Sequence, residues 1–396
     1  MEYLRILDTL NDKDLSDLIA WRHDLHRYPE ISGEETETAR RVCEMLAPTA
    51  PDRVLTDLGG HGVAAVYDSG KPGPTVMFRS ELDALPIQEL GDIPHRSLVP
   101  GKAHLCGHDG HSTILLGLAR LLGRQRPPTG RVVLMFQPAE EDGSGAAAVI
   151  ADERYSEIKP DYAFALHNMP GLPLGEAFLS EGPANCASRG IRIQLQGSTA
   201  HAADPTAGRS PMKAISKLVP ALEACSSGKP LGPGFTLVTV THASMGAPVY
   251  GIAPGDAEVR ATLRTVGDDE MDALCEKVEA LVHAAAKEHD LDCETEYADI
   301  FLACTNDPQA TERLRAGIDL ASVPHRPKPL PQRGSEDFGR FGADARSAML
   351  LLGAGTDAPR VHTPTYDFPD ELISIGIRLF AGTLDVCIKE AAEHGT

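Results

Sequence analysis

Four short segments of the chain carry side chains that bind transition metals. They are Cys106 and His108 in HLCGHDGH, Glu140 and Glu141 in FQPAEEDGSG, His167 in FALHNMP and His362 in VHTPTYDFPD. A thiolate, imidazoles and carboxylates together suit zinc, cobalt or manganese, and a mixed set that leaves a coordination position open supports catalysis. The combination therefore predicts a metal centre rather than a polar loop.

The number of candidate ligands indicates two ions. Five protein ligands exceed what one catalytic ion needs, and two ions about 3.5–4 Å apart that share a bridging water would use them. The adjacent Glu140 and Glu141 can take different roles, because successive side chains in extended backbone point in opposite directions. One can bind metal while the other faces the water as general base. Taken alone, this acidic turn is typical of a solvent-exposed loop.

The segments around these residues alternate between apolar runs and amphipathic helices. Helical periodicity marks residues 15–28 and 37–47. Next come GVAAVYD (62–68), TVMFRSE (75–81), the helix STILLGLARLLGRQ (112–125), RVVLMFQ (131–137), a small helix near 145–152 and YAFALH (162–167). This alternation predicts an α/β sheet of buried strands. The metal-binding side chains come directly after the apolar runs, which places them at the carboxyl edge of such a sheet.

The pattern changes between residues 187 and 302. Strands and helices there follow the order βαββαβ, which is typical of a ferredoxin-like unit. Afterwards the helix TERLRAGIDLA, the strand SAMLLLGAG and a long last helix return to the first pattern. We therefore predict a catalytic α/β domain made of residues 1–186 and 303–396, with residues 187–302 inserted as a second domain.

Composition narrows the classes of partner. The 396 residues contain 37 Lys and Arg against 57 Asp and Glu, a formal net charge of -20, and no basic cluster follows a phosphate backbone. The N-terminus lacks the features of a signal peptide, and no stretch approaches the roughly 18 apolar residues of a membrane span. Eight scattered cysteines fit a reducing compartment better than a disulfide framework. We expect a soluble cytoplasmic protein that binds neither nucleic acid nor membranes.

Eight blocks of the sequence resemble, in order, those of the dinuclear-metal amidohydrolases and metallopeptidases related to aminoacylase. They are WRHDLHRYPEISGEE, RSELDALPIQE, HLCGHDGHSTILLG, VVLMFQPAEEDGSGA, FALHNMP, GSTAHAADP, GSEDF and HTPTYDF. The branch that these blocks resemble contains hippurate hydrolase, indoleacetyl amino acid hydrolase and N-acetyldiaminopimelate deacetylase. The resemblance implies a zinc-peptidase-like catalytic domain, an inserted ferredoxin-like domain that mediates homodimer formation, and hydrolysis of the amide bond of an N-acyl amino acid.

The resemblance also implies roles for individual residues. The metal ligands would be Cys106, His108, Glu141, His167 and His362, with Glu140 as general base and His201 as the group that stabilises the oxyanion, often from the partner subunit. Asp83 resembles an acid that orients a ligand beside the metal site, with a capping aspartate before a turn as the alternative. Asp109 and His111 are expected to orient ligands or to begin a helix. Two divalent ions per subunit are implied, with zinc favoured and manganese, cobalt and nickel as alternatives.

Two positions depart from the family pattern. Glu81 stands where the family usually has Asp, which keeps the charge and adds a methylene. Gly251 stands where the family commonly has an Asn that, with an Arg matching Arg264, holds polar groups of the substrate. We expect altered or relaxed recognition of the amino acid half, because a lost hydrogen-bond donor changes which substrates a site accepts. Asn168 is a further predicted substrate contact.

Three other functions compete with an N-acyl amino acid amidohydrolase. A carboxypeptidase or dipeptidase requires the same machinery and is the main alternative. A non-catalytic dimeric binding protein is disfavoured because every apparent ligand and the base are present. A nucleotide-binding oxidoreductase would fit the GxGxxA spacing of GHGVAA, but the residues that follow are strand-like rather than the start of a helix on a pyrophosphate.

Overall fold

The computed structural model describes residues 2–327 and 331–394, without the side chains of 390–394. The chain divides into two units, of which the first consists of Met1–Ala184, Thr305–Pro329 and Asp337–Thr396, and the second of Asn185–Cys304 and Leu330–Glu336. The sequence predicts that all of 303–396 belong to the first domain, whereas 331–336 lie with the second unit. The reason is backbone pairing, since the N–H of Cys186 donates to the oxygen of Gln332 at 3.1 Å.

Most helices of the first unit form at the segments that have helical periodicity. All the described helices of this unit, in chain order, are α1 (Tyr3–Ile6), α2 (Asp12–Arg27), α3 (Thr36–Leu46), α4 (His108–Arg124), α5 (Gly145–Ala151), α8 (Pro308–Leu320) and α9 (Glu371–His394). Short 3-10 turns lie at Leu7–Thr9, Ala47–Thr49, Glu153–Glu157 and Asp337–Ala343. A capping box between Asn11 and Asp14 starts α2. The helix α4 begins at His108, four residues before the predicted start at Ser112, so the polar HDGH segment is helical.

The first unit is built on a mixed eight-stranded sheet. Its strands are β1 (Arg53–Leu58), β2 (Gly62–Asp68), β3 (Thr75–Glu81), β4 (Arg131–Gln137), β5 (Tyr162–Met169), β6 (Ala177–Phe178), β15 (His325–Arg326) and β16 (Arg346–Gly353). Their order is β1-β2-β4-β3-β5-β16-β6-β15. The central pairs β4–β3, β3–β5 and β5–β16 are parallel, as the alternation of strands and helices predicts. The strand β1, which is not among the predicted strands, pairs antiparallel with β2 at the edge.

The second unit has the ferredoxin-like topology that the sequence predicts. Its elements are β8 (Ala187–Gln196), β9 (Ala200–His201), α6 (Met212–Glu223), β10 (Thr236–Met245), β11 (Ile252–Ala253), β12 (Asp256–Thr265), α7 (Asp268–Glu288) and β13 (Asp292–Phe301), with a 3-10 turn at Pro205–Ala207. The four long strands have the order β10-β12-β8-β13 and are all antiparallel. The short strands β7 (Gly182–Asn185) and β14 (Cys304–Asn306) lie where the chain enters and leaves this unit.

Each unit has its own apolar core. In the first, α4 and α9 pack on the sheet, with side chains such as Leu115, Phe164 and Phe380 almost fully buried. Burying a side chain of this size contributes roughly 1.5–3 kcal/mol. Close helix packing also requires glycine, because a Cβ on Gly317 of α8 would lie 2.5 Å from the backbone of Thr383 in α9. All eight cysteines are free thiols, and none of the helices in the described ranges is long and apolar enough to cross a membrane.

Candidate metal centre

The carboxyl edge of the first-unit sheet gathers the five predicted metal ligands and the predicted base. They are Cys106 just before α4, His108 at its start, Glu140 and Glu141 after β4, His167 in β5 and His362 between β16 and α9. Their ligand atoms form three groups, each within 4.8 Å: Cys106, His108 and His167; Cys106, Glu141 and His362; and His108, Glu140 and Glu141. The thiol of Cys106 belongs to two groups, so it can serve two metal positions.

Asp83 holds two of the ligands. Its backbone oxygen and its Oδ1 lie 2.9 and 3.2 Å from His108 Nδ1, so that nitrogen carries the proton and Nε2 is left for a metal. Its Oδ2 accepts from the backbone N–H of Glu141 at 2.9 Å and from Ser32 Oγ at 2.8 Å. One buried carboxylate therefore orients an imidazole and the backbone of a glutamate, which fits the role expected for Asp83.

His167 is held by its own neighbour in the chain. Its Nδ1 donates to the backbone oxygen of Asn168 at 2.7 Å, which leaves Nε2 as an acceptor 3.4 Å from Cys106 Sγ. Burial, and then the charge of His111, lower the pKa of His167 to about 3. The imidazole is therefore neutral near neutral pH, as a metal ligand must be.

Backbone in the left-handed region occurs in three ligand-bearing segments. The φ angle is 101° at Gly107, 48° at Ala139 and 64° at His362. Ala139 is fixed by its N–H, which donates to Glu35 Oε1 at 2.8 Å, and His362 by its N–H, which donates to the oxygen of Leu105 at 2.8 Å. Non-glycine residues keep such backbone only where the surroundings hold it, and these positions are concentrated at functional sites.

Asn168 supports the loop that carries the first two ligands. A Cβ on Gly107 would lie 2.2 Å from Asn168 Oδ1, so only glycine fits in this loop. Asn168 is fully buried, its Nδ2 donates to Tyr366 Oη at 2.6 Å, and its backbone N–H donates to His111 Nε2 at 3.2 Å. The side chain of Asn168 thus lies inside the protein against the ligand loop, and its predicted contact with substrate stays a prediction.

Two buried atoms of the centre lack a hydrogen-bond partner among the described residues. They are His108 Nε2 and Glu141 Oε1, which are 3.9 Å apart. An unpaired buried polar atom costs about 1–3 kcal/mol, so two of them side by side indicate that another group binds between them. Nitrogen, sulfur and carboxylate oxygen donors in one set fit a divalent metal ion. The residues present therefore fit the predicted metals.

The electrostatics of the centre also favour a cation. Burial acts to lower the pKa of His108, but the hydrogen bond with Asp83 and the charge of Glu81 raise it to about 10. Burial, and then the charge of Glu141, raise the pKa of the Cys106 thiol well above its ordinary value. The surrounding carboxylates contribute to both shifts, and a divalent ion bound here would act against both by favouring the neutral imidazole and the thiolate.

A chain of buried ion pairs continues from the ligands through His111. Its Nδ1 lies 2.7 Å from Glu81 Oε2, and Glu81 also pairs with Arg79. Arg79 in turn donates to Asp337 Oδ1 at 2.6 Å and to Gln137 Oε1 at 2.8 Å. Burial acts to raise the pKa of Glu81, but Arg79 and His111 hold it well below its ordinary value. Glu81, a departure from the family pattern, thus keeps the role of a charged partner.

Asp109 pairs with the helix α2 rather than with the ligands. Its Oδ2 accepts from His26 Nδ1 at 2.9 Å and lies 3.3 Å from Arg22 Nη1. The other nitrogen of His26 lies 3.3 Å from Glu89 Oε1. Burial acts to lower the pKa of His26, but its hydrogen bonds with Asp109 and Glu89 raise it to about 9. His26 is therefore a buried cation at neutral pH.

Three residues that support this centre, Arg22, Arg79 and Glu35, are not among those that the sequence predicts. The sequence does indicate that Arg22 and Arg79 are unusual, because each is a charged residue at an apolar position. Arg22 shares the buried helical face of Leu18, and Arg79 interrupts the apolar run TVMFRSE. A charge at a core position requires a buried partner. Glu35 left no such signal, because its partner is the backbone N–H of Ala139.

Two other predicted residues, His201 and Gly251, lie together in the second unit. The side chain of His201 is exposed, and the N–H of Ala203 donates to its Nδ1 at 3.0 Å, so Nε2 carries the proton in the neutral form. Ile252 of β11 pairs with His201 of β9, and the N–H of Ala202 donates to the oxygen of Gly251 at 3.0 Å. A Cβ on Gly251 would have no neighbour within 4 Å, so a side chain fits at this position.

Arg264 of β12 also belongs to the second unit. Its Nη1 donates to Ser335 Oγ at 2.8 Å and to the backbone oxygen of Arg333 at 2.9 Å. Both acceptors lie in the segment 331–336, so Arg264 helps to hold that segment in its unit. Its predicted contact with a substrate carboxylate stays a prediction.

The comparison with known sequences agrees with the cluster of ligands. The profile of peptidase family M20/M25/M40 matches residues 77–385, which include every predicted ligand and the predicted base. The chain belongs to this family. Two relatives from the family's amidohydrolases are similar over nearly their whole length. The N-acetylcysteine deacetylase of Bacillus subtilis strain 168 is 28% identical over 369 residues, 92% of this chain and 95% of that protein.

The second relative is the hippurate hydrolase of Campylobacter jejuni, 28% identical over 366 residues, which are 91% of this chain and 94% of that protein. Among solved structures, the dinuclear metal-binding M20 peptidase YXEP of Bacillus subtilis has a TM-score of 0.80 at 25% identity and covers 96% of this chain and 99% of its own. These findings confirm the amidohydrolase family and its fold.

The buried cation His26 generates a prediction of pH dependence. Its folded pKa of about 9 lies above the ordinary 6.5, so its pairing stabilises the fold below about pH 6.5 and is lost as the pH rises through about 9. At 1.36 kcal/mol per pKa unit the contribution is on the order of 3 kcal/mol. We expect His26→Gln to remove it. The measurement is the free energy of unfolding by denaturant, for metal-stripped wild type and variant, across this pH range. The difference in this free energy between the two proteins should shrink as the pH rises, and a constant difference would contradict the pairing.

Proposed function

We propose that the protein is a metal-dependent amidohydrolase that cleaves N-acyl amino acids. The observation that carries this proposal is the buried set of nitrogen, sulfur and oxygen donors, with His108 Nε2 and Glu141 Oε1 unpaired and a second carboxylate, Glu140, beside them. The substrate class is supported by the relatives named as hydrolases of hippurate and of N-acetylcysteine. A carboxypeptidase or dipeptidase would use the same residues and is the alternative outcome of the substrate test.

The two metal positions would be held by Cys106, His108, Glu141, His167 and His362. When bound, divalent ions acidify water and polarise the amide carbonyl. We propose zinc as the native ion, because the thiolate and imidazole ligands suit it, with manganese, cobalt or nickel as the alternatives. Asp83 prepares the site for the ions, because it holds the proton of His108 on Nδ1 and fixes the backbone of Glu141.

Glu140 is the proposed general base. Its Oε2 lies 3.8 Å from His108 Nε2. The neighbouring Glu141 lies near two candidate ligands, with its Oε1 3.9 Å from His108 Nε2 and its Oε2 3.4 Å from His362 Nε2. Glu140 would take a proton from the attacking water and return it to the amine nitrogen as the amide bond breaks. The Nε2–H of His201 is the proposed donor to the oxygen on which negative charge develops.

Neighbouring isosteric substitutions test the division between the two glutamates. We expect Glu140→Gln to lower kcat by about 10²–10⁴-fold while two equivalents of metal still bind, because only the base is lost. Glu141→Gln should lose metal, because an amide is a poorer ligand than a carboxylate. Metal content and amine release from N-acetyl, N-benzoyl and indoleacetyl amino acids and from dipeptides are the measurements. Equal loss of metal in both variants would contradict the assignment, and turnover of dipeptides alone would favour the peptidase.

The open space at Gly251 generates a prediction about specificity. A side chain fits there, so Gly251→Asn restores the family's amide without a clash. We expect the wild type to hydrolyse glycine, alanine and bulky amino acid conjugates with comparable kcat/KM, and the variant to discriminate among them more strongly. Gly334→Asn is the matched control, because its Cβ also has open space. A wild type that prefers simple N-acetyl amino acids strictly would contradict relaxed recognition.

We also propose that the chain forms a homodimer through its second unit. Val249, Tyr250 and Ile252 have 51%, 103% and 54% of their surface exposed within four residues of sequence beside His201. Adjacent exposed apolar side chains are typical of a protein interface. Sedimentation should give twice the chain's mass at micromolar concentration, and Tyr250→Ser should weaken association. A wild-type monomer under these conditions would contradict the dimer.

A further inference from the structure

One buried guanidinium, that of Arg22 in α2, contacts three carboxylates. Its Nη1 lies 3.3 Å from Asp109 Oδ2 and 2.8 Å from Asp367 Oδ1, and its Nε lies 2.7 Å from Asp370 Oδ1. The side chain of Arg22 is fully buried, whereas Asp367 and Asp370 are each 29% exposed. Arg22 Nη2 also donates to His95 Nε2 at 2.7 Å. The guanidinium is therefore surrounded by partners and lies outside the groups of metal-binding atoms.

The three carboxylates belong to two segments that carry ligands from distant parts of the chain. Asp109 directly follows His108, and Asp367 follows His362 in the segment between β16 and α9. A guanidinium is planar and presents five N–H donors in fixed directions, so a single side chain determines the spacing of the groups that it binds. Arg22 thus joins the start of α4 to the segment of His362.

His362 is the most exposed of the five candidate ligands. Its imidazole is 47% exposed, and its backbone has a φ of 64°, which a β-carbon disfavours. The other candidate ligands lie at or just before the start of α4, within four residues of the end of β4, or in β5. Without the contact between Arg22 and Asp367, the segment of His362 would lose a buried connection to the rest of the site.

We propose that Arg22 is a positioning residue for the second metal position, which Cys106, Glu141 and His362 form. It holds the His362 segment at the distance from the His108 loop that two ions require. The inference rests on the proposed function, which supplies the two ions. The first position, formed by Cys106, His108 and His167, does not include the His362 segment and does not require Arg22 for its spacing. Loss of the Arg22 guanidinium should therefore weaken the affinity for the second equivalent of metal and leave the affinity for the first unchanged.

Metal titration of Arg22→Lys tests this inference. Lysine keeps the charge but is a single point donor that cannot span three carboxylates. In a calorimetric titration of metal-stripped protein with cobalt, we expect the wild type to bind two equivalents. Arg22→Lys should bind the first within about threefold and the second at least about tenfold more weakly, the size of effect that loss of a supporting residue produces. The cobalt absorption spectrum at two equivalents should lose the contribution of the second ion.

Arg120→Lys is the matched control. Arg120 of α4 binds Asp14 of α2 at 3.1 Å, so this substitution weakens the same pair of helices without touching a ligand segment. We expect its two metal affinities to equal those of the wild type, whatever its thermal stability. A loss of the second equivalent in this control as well would overturn the inference, because helix packing alone would then explain the effect.

A second variant keeps the test independent of folding. Asp367→Asn changes a part-exposed partner of Arg22, and we expect the same weaker second equivalent. Wild-type affinity for both equivalents in Arg22→Lys or Asp367→Asn would overturn the inference and leave Arg22 a purely structural role. Fewer than two equivalents in the wild type would overturn this inference and the proposed function together. A third outcome is that the variants lose affinity for the second equivalent alone while the wild type hydrolyses no N-acyl amino acid. That outcome would support the inference and contradict only the proposed function.

Discussion

The pairing of buried charge is the constraint on which the rest of this structure depends. Glu81, Asp83 and Asp109 are all fully buried beside the candidate metal centre. Each has a protein partner that carries or shares a positive charge, and the partners come from other parts of the chain: Arg79 and His111 for Glu81, His108 for Asp83, and Arg22 and His26 for Asp109. Leaving a buried charge unpaired costs several kcal/mol, about 3–5 when a partner is removed, so these pairs fix how the elements pack.

The same pairs decide which atoms remain for a metal. Because Asp83 takes Nδ1 of His108, Nε2 stays unpaired, and because Asn168 takes Nδ1 of His167, the other nitrogen faces Cys106. The backbone contributes as well, since the left-handed residues Ala139 and His362 lie at the turns that present two ligand segments. The site is preorganised before any ion binds, which lowers the cost of assembling it.

The residues with candidate roles divide between the two units. The first unit contains the ligands and the proposed base, whereas His201, Gly251 and Arg264 lie in the second. The residues proposed for chemistry and those proposed for recognition thus lie in separately packed units. A change in the second unit, such as the glycine at position 251, therefore leaves the buried pairs beside the candidate metal centre unchanged.

The sequence by itself determined the types of the ligands, their order and the strands that precede them. These features are local: β3 and β4 have the predicted bounds because a run of apolar residues specifies a buried strand wherever it lies. Only the tertiary structure decided that α4 starts at His108, that 331–336 join the second unit, and that Arg22 meets Asp367. These features depend on pairs of groups separated by up to hundreds of residues, and a local pattern shows that a charge is buried without showing which partner reaches it.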